Sequence, residues 1–360
     1  MFKWITSGEI PDEDPGTPFS DTHIVGYELA KMVSDTASSG YRASVIQDYG
    51  LTREMVPTEW LKDPEVWEAL LEKMPMTAMI RNLANMTRIG LLRPMSSWAY
   101  EVASRLESEG VHKAKVHPLQ VLVALMTYKA GQGVARRRAV GFHSRGYVDA
   151  GSVNTWDPVP QIVDALDAAF YHSFGNVKTT DKRIMLAIDT SGSMEWDNIA
   201  GMPITPRAGS AAMAMVTART ERRYVVTAFS SGYMKRAYRG SYHGIREVDI
   251  SPRRRLDDVM NAIVGGGGTD CSLPMVYALD KGLDVDAFIV YTDNETWAGR
   301  THPVQALNEY RTKTGIPAKL IVVGMTSTGF TIADPTDPGM MDVVGFDTAA
   351  PNIMSDFVRG

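Results

Sequence analysis

Up to about residue 180 the apolar positions of the chain recur every three or four residues; beyond it they gather into short unbroken runs. The first pattern predicts helices that lay one face on a core, the second predicts strands covered on both faces. Helices are expected over "DTHIVGYELAKMVSD", "DPEVWEALLEKMP", "MTAMIRNLANMTRIG", "SWAYEVASRLESEG", "HPLQVLVALMTYKAGQG" and "PQIVDALDAAFYHSFG". Pro118 falls in a first turn, and Gly110, Gly131 and Gly133 are placed to end helices. Short connections between helices of this length suggest stacked pairs, a helical solenoid of HEAT-like repeats more than a compact bundle. "VARRRAVGFHSRGYVDAGSVNTW", residues 134–156, is expected to be a long loop.

After residue 180 strands and helices alternate. Strands are predicted over "RIMLAIDT", "RYVVTAFSS", "VDAFIVYTDNE" and "AKLIVVGM". Helices are predicted over "AGSAAMAMVTART", "LDDVMNAIV", "SLPMVYALDKG" and "HPVQALNEYRTKTG". An open parallel α/β sheet is the natural outcome. The fold class is therefore a helical domain over residues 1–178 followed by a Rossmann-like α/β domain over 179–360.

Bulk composition narrows the function classes. A chain of 360 residues, 44% apolar and 22% charged, is sized for two globular domains. No run of 18 apolar residues predicts a membrane span, and the acidic, Pro-rich start has no signal-peptide core. One cysteine, Cys271, excludes an intrachain disulfide and a multi-cysteine zinc site; a reducing cytoplasm is expected. The net charge of −5 hides a local reversal. Between Met76 and Val148 stand eleven Lys or Arg against three Glu, a window of +8, to which His112, His117 and His143 add at lower pH. Such a window is either a solvated helical face with an Arg-rich loop or a nucleic-acid surface.

The ends of the predicted strands carry the other chemistry. "DTSGS" puts Asp189, Ser191 and Ser193 at alternate positions, "GGGGTD" supplies Thr269 on a glycine loop, and "YTDNE" supplies Asp293. Ligands of open α/β sheets sit beyond the carboxyl ends of the strands. Carboxylates and hydroxyls without His or Cys suit a hard divalent cation, Mg²⁺ by default. Taken singly, each piece is as well explained by a polar turn. Catalytic signatures are missing: no phosphate-binding G-x-x-x-x-G-K-[ST] loop, no G-x-S-x-G elbow, and no His placed as a base by a recognisable motif.

D-T-S-G-S at 189–193 with Thr269 and Asp293 resembles the metal-ion-dependent adhesion site of von Willebrand factor A domains. From residue 50 to 357, "EVWEALLEKMPMTAMIRNLANMT", "VHPLQVLVALMTYKAG", "GGTDCSLPMVYA", "YTDNETWAG" and "PAKLIVVGMTSTGFTIADPTDPGMMDVVGFDT" are similar to the Ro ribonucleoprotein (TROVE-domain) family. The resemblance implies HEAT-like helical repeats joined to a von Willebrand A domain. It also implies binding of small noncoding, Y-class RNA and of defective RNA, no catalysis of its own, and in some bacterial members the guidance of an exoribonuclease. Carried over by position, the metal ligands are Asp189, Ser191, Ser193, Thr269 and Asp293. The family has further repeats ahead of "LTREMVPTEWLKD", where this chain has about 50 residues; it looks like a shortened member. An apolar stripe on "HIVGYELAKMV" is then expected to stack on another copy, in a homo-oligomer, or under residues 1–20.

Within the basic window the candidate RNA contacts are Arg81, Arg88, Lys113, Lys115, His117, Lys129, Arg136, Arg137 and Arg138. The competing reading is a metal-dependent protein-adhesion module with an incidental basic patch. Met76, Met79 and Met86 read as core; Trp98, Tyr100 and Trp156 could stack on bases but read as packing between helices. Arg253, Arg254 and Arg255 read as a surface helix start, and Cys271 as a small buried residue.

Overall fold

A computed structural model describes residues 22–33, 37–107, 110–133, 137–139, 147–149, 153–196, 198–199, 202–231, 244–251, 253–293, 301–326, 332–346 and 349–360. By packing, the chain forms two compact units. One comprises Met1–Val116, Tyr128–Gly133 and Asn154–Ala169, the other His117–Thr127, Val134–Val153 and Phe170–Gly360.

The first unit is helical: α1 (Thr22–Met32), α2 (Ser39–Tyr49), α3 (Pro64–Lys73), α4 (Met76–Arg88), α5 (Ser97–Glu107) and the short α6 (Gly110–Lys113). Helix α7 (Pro118–Lys129) brings Tyr128 and Lys129 to it, and α8 (Pro160–His172) runs through Ala169. The elements start where local chemistry tells them to. Asp63 caps α3, accepting from Glu65 N at 3.1 Å with Pro64 in the first turn. Trp60 and Trp67 are fully buried, and the Trp67 indole donates to Leu61 O at 2.9 Å. Met76, Met79 and Met86 are buried, as their helical spacing predicts. Three readings change. Gly110 opens α6 instead of capping α5. Helix α2 was not legible, because only Val45 and Ile46 of its eleven residues are buried. The apolar stripe of α1 is largely covered within the chain. Ile24, Gly26 and Ala30 are buried and α1 packs on α2, so closely that a Cβ on Gly26 would come within 2.3 Å of the Tyr49 Cβ. Only Met32 stands well exposed, at 71%.

Residues 134–156, expected to be loop, include two short strands, β1 (Arg137–Ala139) and β2 (Tyr147–Asp149), paired antiparallel.

The second unit centres on a six-stranded sheet. Its strands are β3 (Ile184–Asp189), β4 (Tyr224–Phe229), β5 (Ile245–Glu247), β6 (Ala287–Thr292), β7 (Lys319–Gly324) and β8 (Met340–Val344), in the order β5-β4-β3-β6-β7-β8. The sheet is mixed, not purely parallel: β5 runs antiparallel against β4, while every other pairing is parallel. The helices are α9 (Ser193–Trp196), α10 (Pro206–Thr220), α11 (Leu256–Ala262), α12 (Leu273–Lys281), α13 (Pro303–Thr314) and α14 (Ala350–Arg359). Strands β3 and β6 are buried along their whole length, which accounts for their unbroken apolar runs. Helix α10 is Ala- and Met-rich because it too is buried nearly all round; a Cβ on its Gly209 would lie 2.8 Å from Ile199. The register places Ile188 beside Tyr291, so Asp189 and Thr292 end neighbouring strands side by side. Among the described residues no helix is long and apolar enough to cross a membrane.

Candidate functional site

The strand ends converge on one carboxylate. Asp189 is completely buried at the end of β3. Its Oδ1 accepts from Ser191 N at 2.8 Å; its Oδ2 accepts from Thr292 Oγ1 at 2.8 Å and Thr269 Oγ1 at 3.2 Å. Asp293 follows Thr292, whose hydroxyl lies 3.4 Å from its Oδ1. Ser191 and Ser193 hydroxyls lie 3.1 Å apart, Ser191 buried and Ser193 exposed. Asp189, Ser191, Ser193, Thr269 and Asp293 thus lie at one end of the sheet. Thr292 belongs with them and was not singled out in the sequence.

The glycine loop reaches this end because it has no side chains. A Cβ on Gly265 would sit 2.1 Å from Thr190 Oγ1, and Gly267 has φ +99. Ser231, beyond the end of β4, ties the loop down: its N–H donates to Gly268 O at 2.6 Å and its Oγ accepts from Gly268 N at 2.9 Å. Gly192 N reaches Gly267 O at 3.4 Å.

The electrostatics of the cluster follow from burial. Burial, reinforced by the charge of Asp293, pushes the Asp189 carboxyl up to about 7, against hydrogen bonds from Ser191 and Thr292 that favour the anion. Asp189 and Asp293 are both buried, and no Lys or Arg among the described residues bonds to either. Among the described residues no group of three or more His, Cys, Asp or Glu is placed to hold a metal. The donor set is therefore two carboxylates and hydroxyls, the oxygen chemistry of Mg²⁺ or Mn²⁺ and not that of zinc.

The basic candidates are placed differently. Arg81 and Arg88 on α4, Lys113 on α6, Lys115 after it and Lys129 at the end of α7 are exposed. Arg137 and Arg138 lie in β1; Arg136 and His143 lie outside the described residues. Two members of the window act inward. Arg105 donates to Leu71 O at 2.8 Å, which also accepts from Met74 N, and to Met74 O at 2.6 Å, at the end of α3. His117 caps α7, its Nδ1 accepting from Leu119 N at 3.2 Å, and its Nε2 is buried without a partner among the described residues. Burial lowers its pKa to about 4, so it adds positive charge to the window only at a lower pH than an ordinary histidine would. Tyr100, read as packing, is 54% exposed, and Trp98 and Trp156 are half-buried. Cys271 is buried.

A mostly parallel sheet with an acid–hydroxyl cluster at its carboxyl end is a von Willebrand A-type domain, here preceded by a helical region. The TROVE domain model matches residues 31–182 and the Ro60 vWA domain model residues 183–358. The chain belongs to this Ro60 family of TROVE and vWA domain proteins. The "RNA-binding protein RO60" of Deinococcus radiodurans is 38% identical over 366 residues, covering 100% of this chain and 62% of the relative. That of Caenorhabditis elegans is 38% identical over 320 residues, covering 88% of this chain and 45% of the relative. The crystal structure of the Deinococcus radiodurans RO (RSR) protein superposes with a TM-score of 0.83 at 38% identity, covering 99% of this chain and 66% of that one. The chain thus spans less than two thirds of the length of these relatives.

Proposed function

We propose that the protein is a non-catalytic RNA-binding protein that forms a ribonucleoprotein with a small noncoding, Y-like RNA or with misfolded structured RNA. The observation that carries this reading is the set of exposed cations on the helical unit. Arg81, Lys115 and Lys129 have no acidic partner among the described residues, so their charge is available to phosphates. Both relatives carry RNA binding in their names, which supports the same reading. Lys113 and Arg88 are exposed candidates beside them; Arg136, Arg137 and Arg138 are further candidates by charge, and His117 supports the proposal by capping α7.

In the same proposal the sheet unit holds a divalent cation, Mg²⁺ by default, through Asp189, Ser191, Ser193, Thr269 and Asp293. Asp189 and Asp293 supply charge and the hydroxyls fill neighbouring positions. The cation's open position takes water, an RNA phosphate, or a carboxylate of a protein such as an exoribonuclease. Self-association belongs to the proposal as well, through what α1 leaves open: half-buried Val25 and Leu29 and exposed Met32. Mass by light scattering, free and with RNA, tests it; a strictly monomeric mass at tens of micromolar protein removes it.

The deciding experiment is a titration of a structured small RNA at several salt concentrations. The reading expects affinity to fall steeply with salt, log K against log salt dropping by about 0.9 per duplex phosphate neutralised. Binding that ignores salt, or no RNA binding at all, leaves the metal-dependent adhesion module as the better account.

A further inference from the structure

Between α4 and α5 the helical unit carries two cavities that share Arg93 and Pro94. One, of about 360 Å³, is lined also by Arg88, Trp156 and Asp157. The other, of about 370 Å³, is lined also by Met95 and Trp98. Both lie at the lower end of the roughly 300–1,000 Å³ typical of small-molecule pockets. Each is sized for one flat ring system and its sugar, and too small for a duplex.

The walls are fixed before any ligand arrives. Trp156 Nε1 donates to Tyr128 O at 2.9 Å, and the two rings stack with centroids 6.4 Å apart. Tyr128 OH is held in turn by Thr87 Oγ1 at 2.8 Å and Val159 N at 3.2 Å. Trp156 N donates to Gly131 O at 2.9 Å, where φ +67 and a backbone oxygen 3.0 Å from the position of a Cβ leave room only for glycine. Arg93 is aimed by its Nε on Gly90 O at 2.5 Å, and Arg88 by its Nη2 on Asn85 Oδ1 at 2.7 Å. Both arginines are exposed and neither is paired with an acid among the described residues.

We infer that this double cavity, with Arg93 between Trp156 and Trp98, takes a dinucleotide step of single-stranded RNA. The inference rests on the RNA-binding reading above and deepens it. The phosphodiester lies on Arg93 and Arg88, one base against Trp156 and the next against Trp98. Bases of any identity stack on aromatic faces, and arginine binds phosphate through paired N–H donors. Asp157 in the first cavity and Glu68 in the second repel phosphate and accept from base amino groups, which puts the backbone on the arginines and a base against each tryptophan. Met95, 78% exposed with φ +64, adds an apolar edge to the second cavity.

The test titrates the full chain with labelled hexauridylate, with uridine 5′-monophosphate, and with the structured RNA. The hexamer is expected to bind at least tenfold tighter than the mononucleotide. R88A/R93A, both at exposed positions, should weaken the hexamer at least tenfold, and W98A should weaken it severalfold. A hexamer carrying 4-thiouridine should crosslink within residues 93–98 or 154–159. Hexamer binding unchanged in R88A/R93A with crosslinks elsewhere overturns the inference. Equal affinity for mononucleotide and hexamer overturns the dinucleotide assignment. If the structured RNA binds and the hexamer does not, the inference fails while the RNA-binding reading stands; if neither binds, both fail.

Discussion

On the helical unit Arg81, Lys115 and Lys129 reach solvent with no acid paired to them among the described residues. On the sheet unit Arg183, Arg207, Arg311 and Arg359 each hold a carboxylate: Asp286 at 2.6 Å, Glu195 at 2.6 Å, Asp337 at 2.5 Å and Asp356 at 2.5 Å. Exposed Lys178, Arg222 and Arg253 there also have no acid paired to them among the described residues, so what sets this unit apart is the pair of buried acids, Asp189 and Asp293. Paired surface cations contribute little to long-range attraction; unpaired ones set the field that a polyanion meets. Phosphate binding is proposed for the helical unit and cation binding for the sheet unit. A count of Lys and Arg along a window also overstates a surface, since Arg105 spends its donors on helix carbonyls.

The largest expected effect separates the two units outright. Asp189→Ala should abolish Mg²⁺- and Mn²⁺-dependent thermal stabilisation, which for a bound cation at 100 times its Kd amounts to about 2.7 kcal/mol. The metal-free variant should remain folded, since the donors of Ser191, Thr269 and Thr292 left without their acceptor, at about 1–3 kcal/mol, are partly offset by removal of a buried carboxylate. RNA affinity should stay within about twofold, since the site carries no cationic side chain for phosphate. Calorimetry and RNA titration of the same sample check all three.

Charge removal within the basic window comes next. Arg136, Arg137 and Arg138 changed together to Ala should weaken structured-RNA binding and flatten the salt slope by about 0.9 for each duplex phosphate no longer neutralised. An unchanged slope moves the RNA to Arg81, Lys115 and Lys129. Arg105→Ala sharpens the distinction from inside the same window. It should cost about 1–3 kcal/mol of stability by removing two bonds to part-buried carbonyls, of which Leu71 O keeps the Met74 N–H, and leave the salt slope where it was. Chemical denaturation and the titration read the two effects separately.

The smallest effect is a pH dependence at His117. Its folded pKa, about 4, lies below the ordinary value of 6.5, so the unfolded chain binds the extra proton first. Its contribution to stability is complete above pH 6.5, declines as pH falls toward 4, and changes no further below that. His117→Asn, which keeps a side-chain acceptor for Leu119 N, should flatten the denaturation midpoint across that interval.

Much of this was legible in the sequence, and the rest was hidden for physical reasons. Strands β3, β6 and β7 announce themselves because burial on both faces forces unbroken apolar runs. Edge strands β5 and β8 do not: "IRE" is three residues long, and "MMDVV" carries Asp342 within it. The hairpin β1–β2 is short and its strands carry Arg137, Arg138 and Asp149, which reads as loop. The strand-end residues Asp189, Ser191, Ser193, Thr269 and Asp293 stood out only jointly, as oxygen donors at three strand ends of one sheet, because each alone reads as an ordinary polar turn. Thr292 was missed since threonine inside a strand is an ordinary β-former. The inward roles of Arg105 and His117 depend on partners 31–34 residues away or on burial, which spacing does not reveal.

The central claim, that RNA is held by the helical unit's cations and not through the acidic strand ends, is tested most directly by one measurement. Affinity for a structured small RNA is followed against salt for the unaltered chain, for Arg81→Glu/Lys115→Glu/Lys129→Glu, and for Asp189→Ala, each with Mg²⁺ and with EDTA. The account predicts a steep slope for the unaltered chain and Asp189→Ala alike, indifferent to EDTA beyond the effect of Mg²⁺ on ionic strength, and a weakened, flattened one for the triple variant. Loss of RNA binding in folded Asp189→Ala, with the triple variant binding as the unaltered chain does, would contradict it.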